Sequence, residues 1–206
     1  PTVARSISLA SLDINPSFQL TMNRMSSVIT LEALNDDGEE ILEAANVKGR
    51  NLKEMLTVIL DTMVDKGYLS NEDNAILVSI DNKSSKKAES LLTEVNAIIK
   101  EYLSSRKITS HIKERIIVDD AREKEKAKDY GMSAGKLELI YEILEDNPEL
   151  GFDYLSKLSL KELIALEEKY DDMDDYEDED HKDEHEDDDR DIDHKGDYED
   201  DDDIDD

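Results

Sequence analysis

No cysteine or tryptophan occurs in the 206 residues, and there are only two phenylalanines and three prolines. Without cysteine there can be no disulfide framework, thiolate metal site or cysteine nucleophile. No apolar run approaches the roughly 18 residues that span a bilayer as a helix. Glycine is sparse too, seven in all, and none of the glycine-rich spacings that cradle phosphate is present. No nucleophile triad or paired catalytic acid can be assembled either. The chain opens on Pro1 instead of Met. It is therefore expected to be a trimmed piece of a longer protein, any targeting or membrane segment having been removed.

Acidic charge, by contrast, is abundant. The formal net charge is -30, and residues 171–206 hold 24 acidic side chains against three basic ones, leaving a net of -9 on the first 170 residues. Isolated among those carboxylates, Met173, Tyr176, Ile192, Tyr198 and Ile204 cannot bury enough apolar surface to offset the entropy of ordering the segment, so 171–206 is expected to be a disordered acidic tail. Such a chain is repelled by nucleic acid and by anionic membranes, and nucleic acid is excluded as a partner. His181 and His185, among the carboxylates, allow weak binding of divalent cations. The Asp-x-Asp-x-Asp-Gly spacing of a calcium loop is missing, so a solvated, solubilising tail is preferred and no defined metal site or cofactor is expected.

The first 170 residues begin with strand patterns. From Leu12 to Met22 apolar residues take the even positions and polar ones the odd, which means extended chain with one buried face. Ile7 and Leu9 follow the opposite parity, which predicts a bulge near Ala10-Ser11. Proline cannot donate to a ladder, so the strand should turn at Asn15-Pro16, giving strands over about 5–14 and 17–23. A third strand, Val28 to Leu34, is expected to end at the turn signal Asn35-Asp36-Asp37-Gly38.

Helical spacing takes over with Leu52, Met55, Leu56, Ile59, Leu60 and Met63, with Asn51 as N-cap and Gly67 as C-terminal stop. A strand at Ala75 to Ile80 follows. Ser84 or Ser85 then caps a long helix with an apolar stripe from Leu91 to Leu103, its Lys86-Lys87 slightly disfavoured by the helix dipole. Asn82-Lys83-Ser84 fits a glycosylation sequon but reads better as a strand-to-helix turn. A strand over about Ile108 to Val118 completes the pattern, in which His111 has no visible partner and is given a structural role. The expectation is an α+β fold, a mostly antiparallel sheet with helices on one face, over residues 1–120.

Residues 121–131 read as a solvated connector helix closed by Gly131. Ser133 then caps a helix with Leu137, Ile140, Tyr141 and Leu144, and Ser159 with Glu162 forms a capping box before a second apolar face. This gives a small helical subdomain over 132–170. Its size leaves two outcomes: it docks on its neighbour or is marginally stable.

Chemistry concentrates at Asn15-Pro16. The Asn15 carboxamide nitrogen can attack the Asn15 main-chain carbonyl, giving a succinimide and releasing Pro16 as a new amino terminus. Ordinary deamidation fails here, because Pro16 has no N–H with which to attack the side chain. The uncatalysed cyclisation is slow, since a carboxamide is a poor nucleophile and amide resonance resists twisting. A fold accelerates it by positioning and by straining the bond in a tight turn. In extended geometry Asp13 and Ser17 share the Asn15 face. Asp13 can accept the carboxamide proton, while the Ser17 hydroxyl or nearby backbone N–H groups can stabilise the oxyanion. Attack by Ser17 or by water ranks below cyclisation, because no base partner for Ser17 is visible.

Leu12-Asp13-Ile14-Asn15-Pro16-Ser17-Phe18-Gln19-Leu20 resembles the self-cleaving motif of RsgI-type anti-sigma factors. Further similarities follow in order: Asn23, Val28-Ile29, Ala33-Leu34-Asn35 with Asp37-Gly38, Gly67-Tyr68-Leu69, and Arg122 to Gly131 followed by Met132-Ser133-Ala134-Gly135-Lys136. The resemblance covers about residues 5–140. It implies the extracytoplasmic (periplasmic) domain of a single-pass membrane protein of a Gram-positive bacterium. Its Asn-Pro bond would cleave itself, as single-turnover autoproteolysis and not as an enzyme acting on other molecules, with Asn15, Pro16, Asp13 and Ser17 carrying the reaction. The implied partners are the cleaved N-terminal strand, held non-covalently, site-1 and site-2 type proteases, and a sigma-I factor bound through an absent cytoplasmic domain. Regulated intramembrane proteolysis would then free that factor for transcription. The carbohydrate-binding or hydrolase module of many members is missing, leaving only helices and the acidic tail. The alternative is a non-cleaving interaction module in which Asn-Pro is an ordinary turn.

Overall fold

The computed structural model describes residues 7–117 and 121–177. Five strands, β1 (Ser8–Asp13), β2 (Ser17–Met22), β3 (Val28–Ala33), β4 (Asn74–Asp81) and β5 (Ser110–Ile117), form one sheet in the order β3-β2-β1-β4-β5. β1 is the central strand, antiparallel to both β2 and β4. β3 extends the antiparallel part, whereas β4 and β5 are parallel. A parallel neighbour needs a crossover, supplied here by α3 (Ser85–Arg106). The α+β architecture with a mostly antiparallel sheet is the one expected.

Side-chain alternation assigns the two faces. Ala10 and Leu12 of β1 with Ile14 just beyond it, Phe18, Leu20 and Met22 of β2, and Ile76, Val78 and Ile80 of β4 share a core with α1 (Asp36–Ala44), α2 (Leu52–Lys66) and α3. The other face of β4 presents Ala75 and Leu77 to a second core. It is built from Leu137, Ile140 and Ile143 of α5 (Ala134–Asp146), Leu155 of α6 (Phe152–Leu155), and Leu163 and Ile164 of α7 (Leu160–Glu177). β4 is buried at every position as a result. Of the two outcomes open to the short helical segment, docking is the one realised. Each fully buried Leu or Ile contributes roughly 1.5–3 kcal/mol, so several on one sheet face suffice to seat the layer. Beside this core, Arg115 pairs with Glu142 and, at 3.2 Å, with Glu167, which also takes Lys113.

The local signals mostly act as read. Asn51 and Glu54 form a reciprocal capping box on α2, and Gly67 ends it with φ 82°. Ser133 caps α5, and Ser159 exchanges hydrogen bonds with Glu162 before α7. Asn82 is buried, accepting from the Ser84 N–H at 2.8 Å and donating to Ser8 Oγ at 2.6 Å, which makes it a turn residue. Ser84 stands at the N-cap of α3 without a side-chain capping bond.

Several expectations need correction. Asn35-Asp36-Asp37-Gly38 is the start of α1 and not a turn between strands: Asn35 Oδ1 accepts from the Gly38 N–H at 2.9 Å, and Asp36, Asp37 and Glu39 lie in the first turn, where the helix dipole favours acids. Nor is there a bulge at Ala10-Ser11, for the β1–β2 register runs unbroken from Ser8 to Asp13, and the irregularity falls at Thr21/Met22. Leu9 alternates with Ala10 and so lies on the sheet's second face, half-buried, while Ile7 precedes β1 and is exposed. The helix α4 (Ala121–Asp129) is not simply solvated, since Ala127 is buried in the second core and Lys124 pairs with Asp81. α7 continues to Glu177, seven residues beyond the expected end of the helical segment. Residues 171–177, expected to open the disordered tail, are thus helical, whereas His181, His185 and the rest of residues 178–206 lie outside the described residues.

Candidate functional site

Asp13, Asn15, Pro16 and Ser17 all lie at the β1–β2 hairpin. Asp13 faces Ser17 across the ladder, and continuing that register sets Ile14 opposite Pro16. The Ile14 N–H donates to the Pro16 carbonyl at 2.9 Å, a bond Pro16 cannot return. Asn15 is thus the single apex residue of the hairpin. Its φ of 128° lies in a region that side chains with a Cβ rarely occupy, which costs on the order of 1–3 kcal/mol. The shoulders Ile14 and Pro16 are buried while Asn15 is exposed, so packing on either side holds the apex in that conformation.

Ser17 is clamped through its backbone. Its N–H donates to Asn35 Oδ1 at 3.1 Å, and its carbonyl accepts from the Leu34 N–H at 2.9 Å. Gly38 makes this approach feasible, because a Cβ there would come within 2.7 Å of the Ser17 carbonyl oxygen. Since the Ser17 N–H is engaged by Asn35, only the Ser17 hydroxyl remains as a donor from that residue.

Asp13 is 1 % exposed. Its Oδ2 accepts a hydrogen bond from Ser133 Oγ at 2.6 Å, while Oδ1 has no hydrogen-bond partner. Burial pushes the carboxyl above its ordinary range. The Ser133 hydroxyl opposes that rise most, followed by the Ser17 hydroxyl across the ladder and by the Lys136 ammonium. Asp13 supplies the acidic neighbour that Ser17 lacks in the sequence.

Ser133 and Lys136 arrive from the second helical layer. Ser133 Oγ also accepts the Lys136 N–H at 3.0 Å, so one hydroxyl caps α5 and holds Asp13. The Lys136 ammonium donates to the Leu158 carbonyl at 3.1 Å. Burial lowers its pKa, with Asp13 and Glu162 acting against the shift. A cleft of about 340 Å³ opens beside the apex, lined by Asn15, Asn35, Lys136, Ser159 and Glu162 among others. Asn35, Ser133, Lys136 and Glu162 are the neighbours that sequence reading does not place there. Ser133 and Glu162 are legible as caps and Asn35 as a turn residue, whereas Lys136 is marked only by the resemblance of residues 132–136 and by no chemical signal of its own.

Elsewhere, His111 is exposed and has a partner after all, Glu168 Oε1 at 3.4 Å. Among the described residues no group of three or more His, Asp or Glu side chains is arranged to hold a metal ion, and no helix is long and apolar enough to cross a membrane.

Residues 7–142, from just before β1 into α5, match the family model described as the anti-sigma factor RsgI-like central domain. The chain belongs to that family. It is 30% identical over 158 residues to anti-sigma-I factor RsgI7 of Acetivibrio thermocellus, an alignment covering 76% of this chain and 29% of the relative. Anti-sigma-I factor RsgI of Bacillus anthracis is 34% identical over 95 residues, covering 45% of this chain and 21% of the relative. The Bacillus subtilis RsgI is 25% identical over 130 residues, covering 61% and 32%. These alignments take in between a fifth and a third of each relative. The segment matching the RsgI-like model contains the whole hairpin and also Ser133 and Lys136.

Proposed function

We propose that this RsgI-like domain cleaves itself once, at Asn15-Pro16, and then acts as a separable joint in an anti-sigma factor. The observation that carries the reading is the position of Asn15, alone at the apex with φ 128° between two buried shoulders. In the step, the Nδ2 electron pair of Asn15 forms a bond to its own carbonyl carbon, and an Nδ2 proton passes to Asp13 Oδ1. The tetrahedral intermediate collapses, the C–N bond to Pro16 breaks, and the proline nitrogen takes the proton as it leaves. The products are a C-terminal succinimide and a chain beginning at Pro16. Asp13 is restored. A carboxyl raised by burial is a stronger base than an exposed one, and a five-membered ring closes more readily than the larger ring that attack by Ser17 would need.

After cleavage β1 remains in the middle of the sheet, bonded to β2 and β4 and packed through Ala10, Leu12 and Ile14. A pull from outside would extract it, and the shortened membrane-anchored part would become a substrate for site-1 and site-2 type proteases, releasing a sigma-I factor. The domain would then stand on the extracytoplasmic face of a Gram-positive cell membrane, in a single-pass protein.

Intact-mass analysis of the purified chain under denaturing conditions tests the first step. Two fragments are expected, the larger starting at Pro16 and the smaller carrying a succinimide or its hydrolysed form, with one intact species for Asn15→Ala. A single uncleaved mass for the unaltered chain after long incubation would sink the proposal and favour a non-cleaving interaction module.

A further inference from the structure

We propose that Ser133 and Lys136 of α5 are positioning residues for the cleavage, so that the hairpin reacts only after the second helical layer has docked on the sheet. This rests on the self-cleavage reading above. The Asp13 carboxylate, at 1 % exposure, has two oxygens to satisfy, and only Oδ2 is satisfied, by Ser133 Oγ at 2.6 Å. That bond fixes the plane of the carboxylate. It leaves Oδ1, which has no partner, as the oxygen available to take a proton.

Within the β1–β2 hairpin the Ser17 hydroxyl is the nearest donor to Asp13, opposite it across the ladder, and the Asn15 carboxamide is itself the reacting group. Ile14 and Pro16 offer no side-chain donor, the Ser17 N–H is held by Asn35, and the Ser133 hydroxyl opposes the burial of Asp13 more than the Ser17 hydroxyl does. The fixing donor comes from 120 residues away in the chain. Ser133 is held in turn by accepting the Lys136 N–H at 3.0 Å, and Lys136 is held by the Leu158 carbonyl at 3.1 Å. Ser133 is itself only 1 % exposed, so these contacts exist only when the layer is seated.

Lys136 adds the positive charge that acts on Asp13 among the described residues. Glu162, at the start of α7, also acts on Lys136, and Ser17 and Ser133 contribute hydroxyls only. Removing the ammonium leaves Asp13 buried without an opposite charge. It then holds its proton to higher pH and is a base over a narrower range.

Seating of the layer depends on Gly135, between these two residues, since a Cβ there would stand 2.6 Å from Ser79 Cβ. The site and the docking contact therefore share one turn of helix. A half-folded chain, with the sheet formed but α5 undocked, would have the strained apex and no oriented base. In this arrangement, cleavage reports completion of both layers.

The test uses the full chain, recovered unfolded and uncut, diluted into folding buffers from acid to neutral, with the cut fraction followed over time on denaturing gels. Ser133→Ala is expected to cleave roughly ten- to a hundredfold more slowly, the factor that one hydrogen bond to a charged group is worth. Its acid limb should move to higher pH, and Ser133→Thr should restore both rate and limb. Lys136→Met should shift the limb the same way, and Lys136→Arg should bring it back. Circular dichroism checks that each variant is folded.

A folded Ser133→Ala and a folded Lys136→Met that both cleave at the parent rate with the parent pH profile would overturn the inference and leave self-cleavage standing. A parent chain that never cleaves would overturn both. If Ser133→Ala fails to fold, the limb of folded Lys136→Met decides: a shift supports the inference and an unmoved limb overturns it.

Discussion

Gly135 lies against Ser79 so closely that any side chain at 135 would overlap the serine's Oγ and stand 2.6 Å from its Cβ. This contact sets how deeply α5 sits on β4. Gly135→Ala is expected to destabilise the chain by about 1–3 kcal/mol, the usual cost of overpacking. Ser79→Gly should recover part of the loss. Urea midpoints of the three chains, each in an Asn15→Ala background, would measure it.

The apex offers a cleaner separation of strain from chemistry. Glycine tolerates a φ of 128° without the steric cost that Asn15 bears. Asn15→Gly should therefore be uncut and more stable than Asn15→Ala by about 1 kcal/mol. Equal urea midpoints for the two variants would mean that the apex stores no strain.

Much of this was legible in the sequence. The even-position alternation from Leu12 to Met22, interrupted by a proline that cannot donate, is enough to place a hairpin turn at Asn15-Pro16. The helices over Leu52 to Lys66 and Ser85 to Arg106 follow from apolar spacing and caps. α1 was hidden because Asn35-Asp36-Asp37-Gly38 is good turn chemistry and good N-cap chemistry at once, and only Ile41 packing into the core decides between them. The parity of Leu9, beside Ala127 and Met132, has a related cause. A second helical layer makes both faces of a strand eligible for apolar residues, which one-faced alternation does not anticipate. Asp13, Asn15 and Ser17 could be grouped by local periodicity. Ser133 and Lys136 could not, because they meet Asp13 through tertiary packing alone.

Asp13 predicts a stability profile with a definite sign. Its carboxyl is raised by burial, so the folded chain holds the proton more tightly than the unfolded chain. The stability linked to this group is fully present below the ordinary carboxylate pKa and is lost as pH rises through the raised one. In an uncut Asn15→Ala background, Asp13→Asn should match its parent closely in acid and become increasingly the more stable of the two toward neutral pH. Urea unfolding at a series of pH values would show this, and a difference that is flat with pH would contradict it.

The cleaved complex should be held largely by packing. Leu12 is 1 % exposed and lies between Phe18 of β2 and Val78 of β4. Leu12→Ala is expected to weaken retention of the N-terminal fragment by about 2–5 kcal/mol. Gel filtration of cut protein in moderate urea should show that fragment lost at lower denaturant than in the parent.

The central place of β1 has a mechanical consequence. A pull at Ser8 along the strand axis loads the ladders to β2 and β4 side by side, in shear, so their hydrogen bonds share the force and fail together instead of opening one after another. An edge strand would peel away under a weak, steady tug. A strand clasped on both sides holds up to a threshold and then releases all at once, which gives a cut chain the behaviour of a fuse.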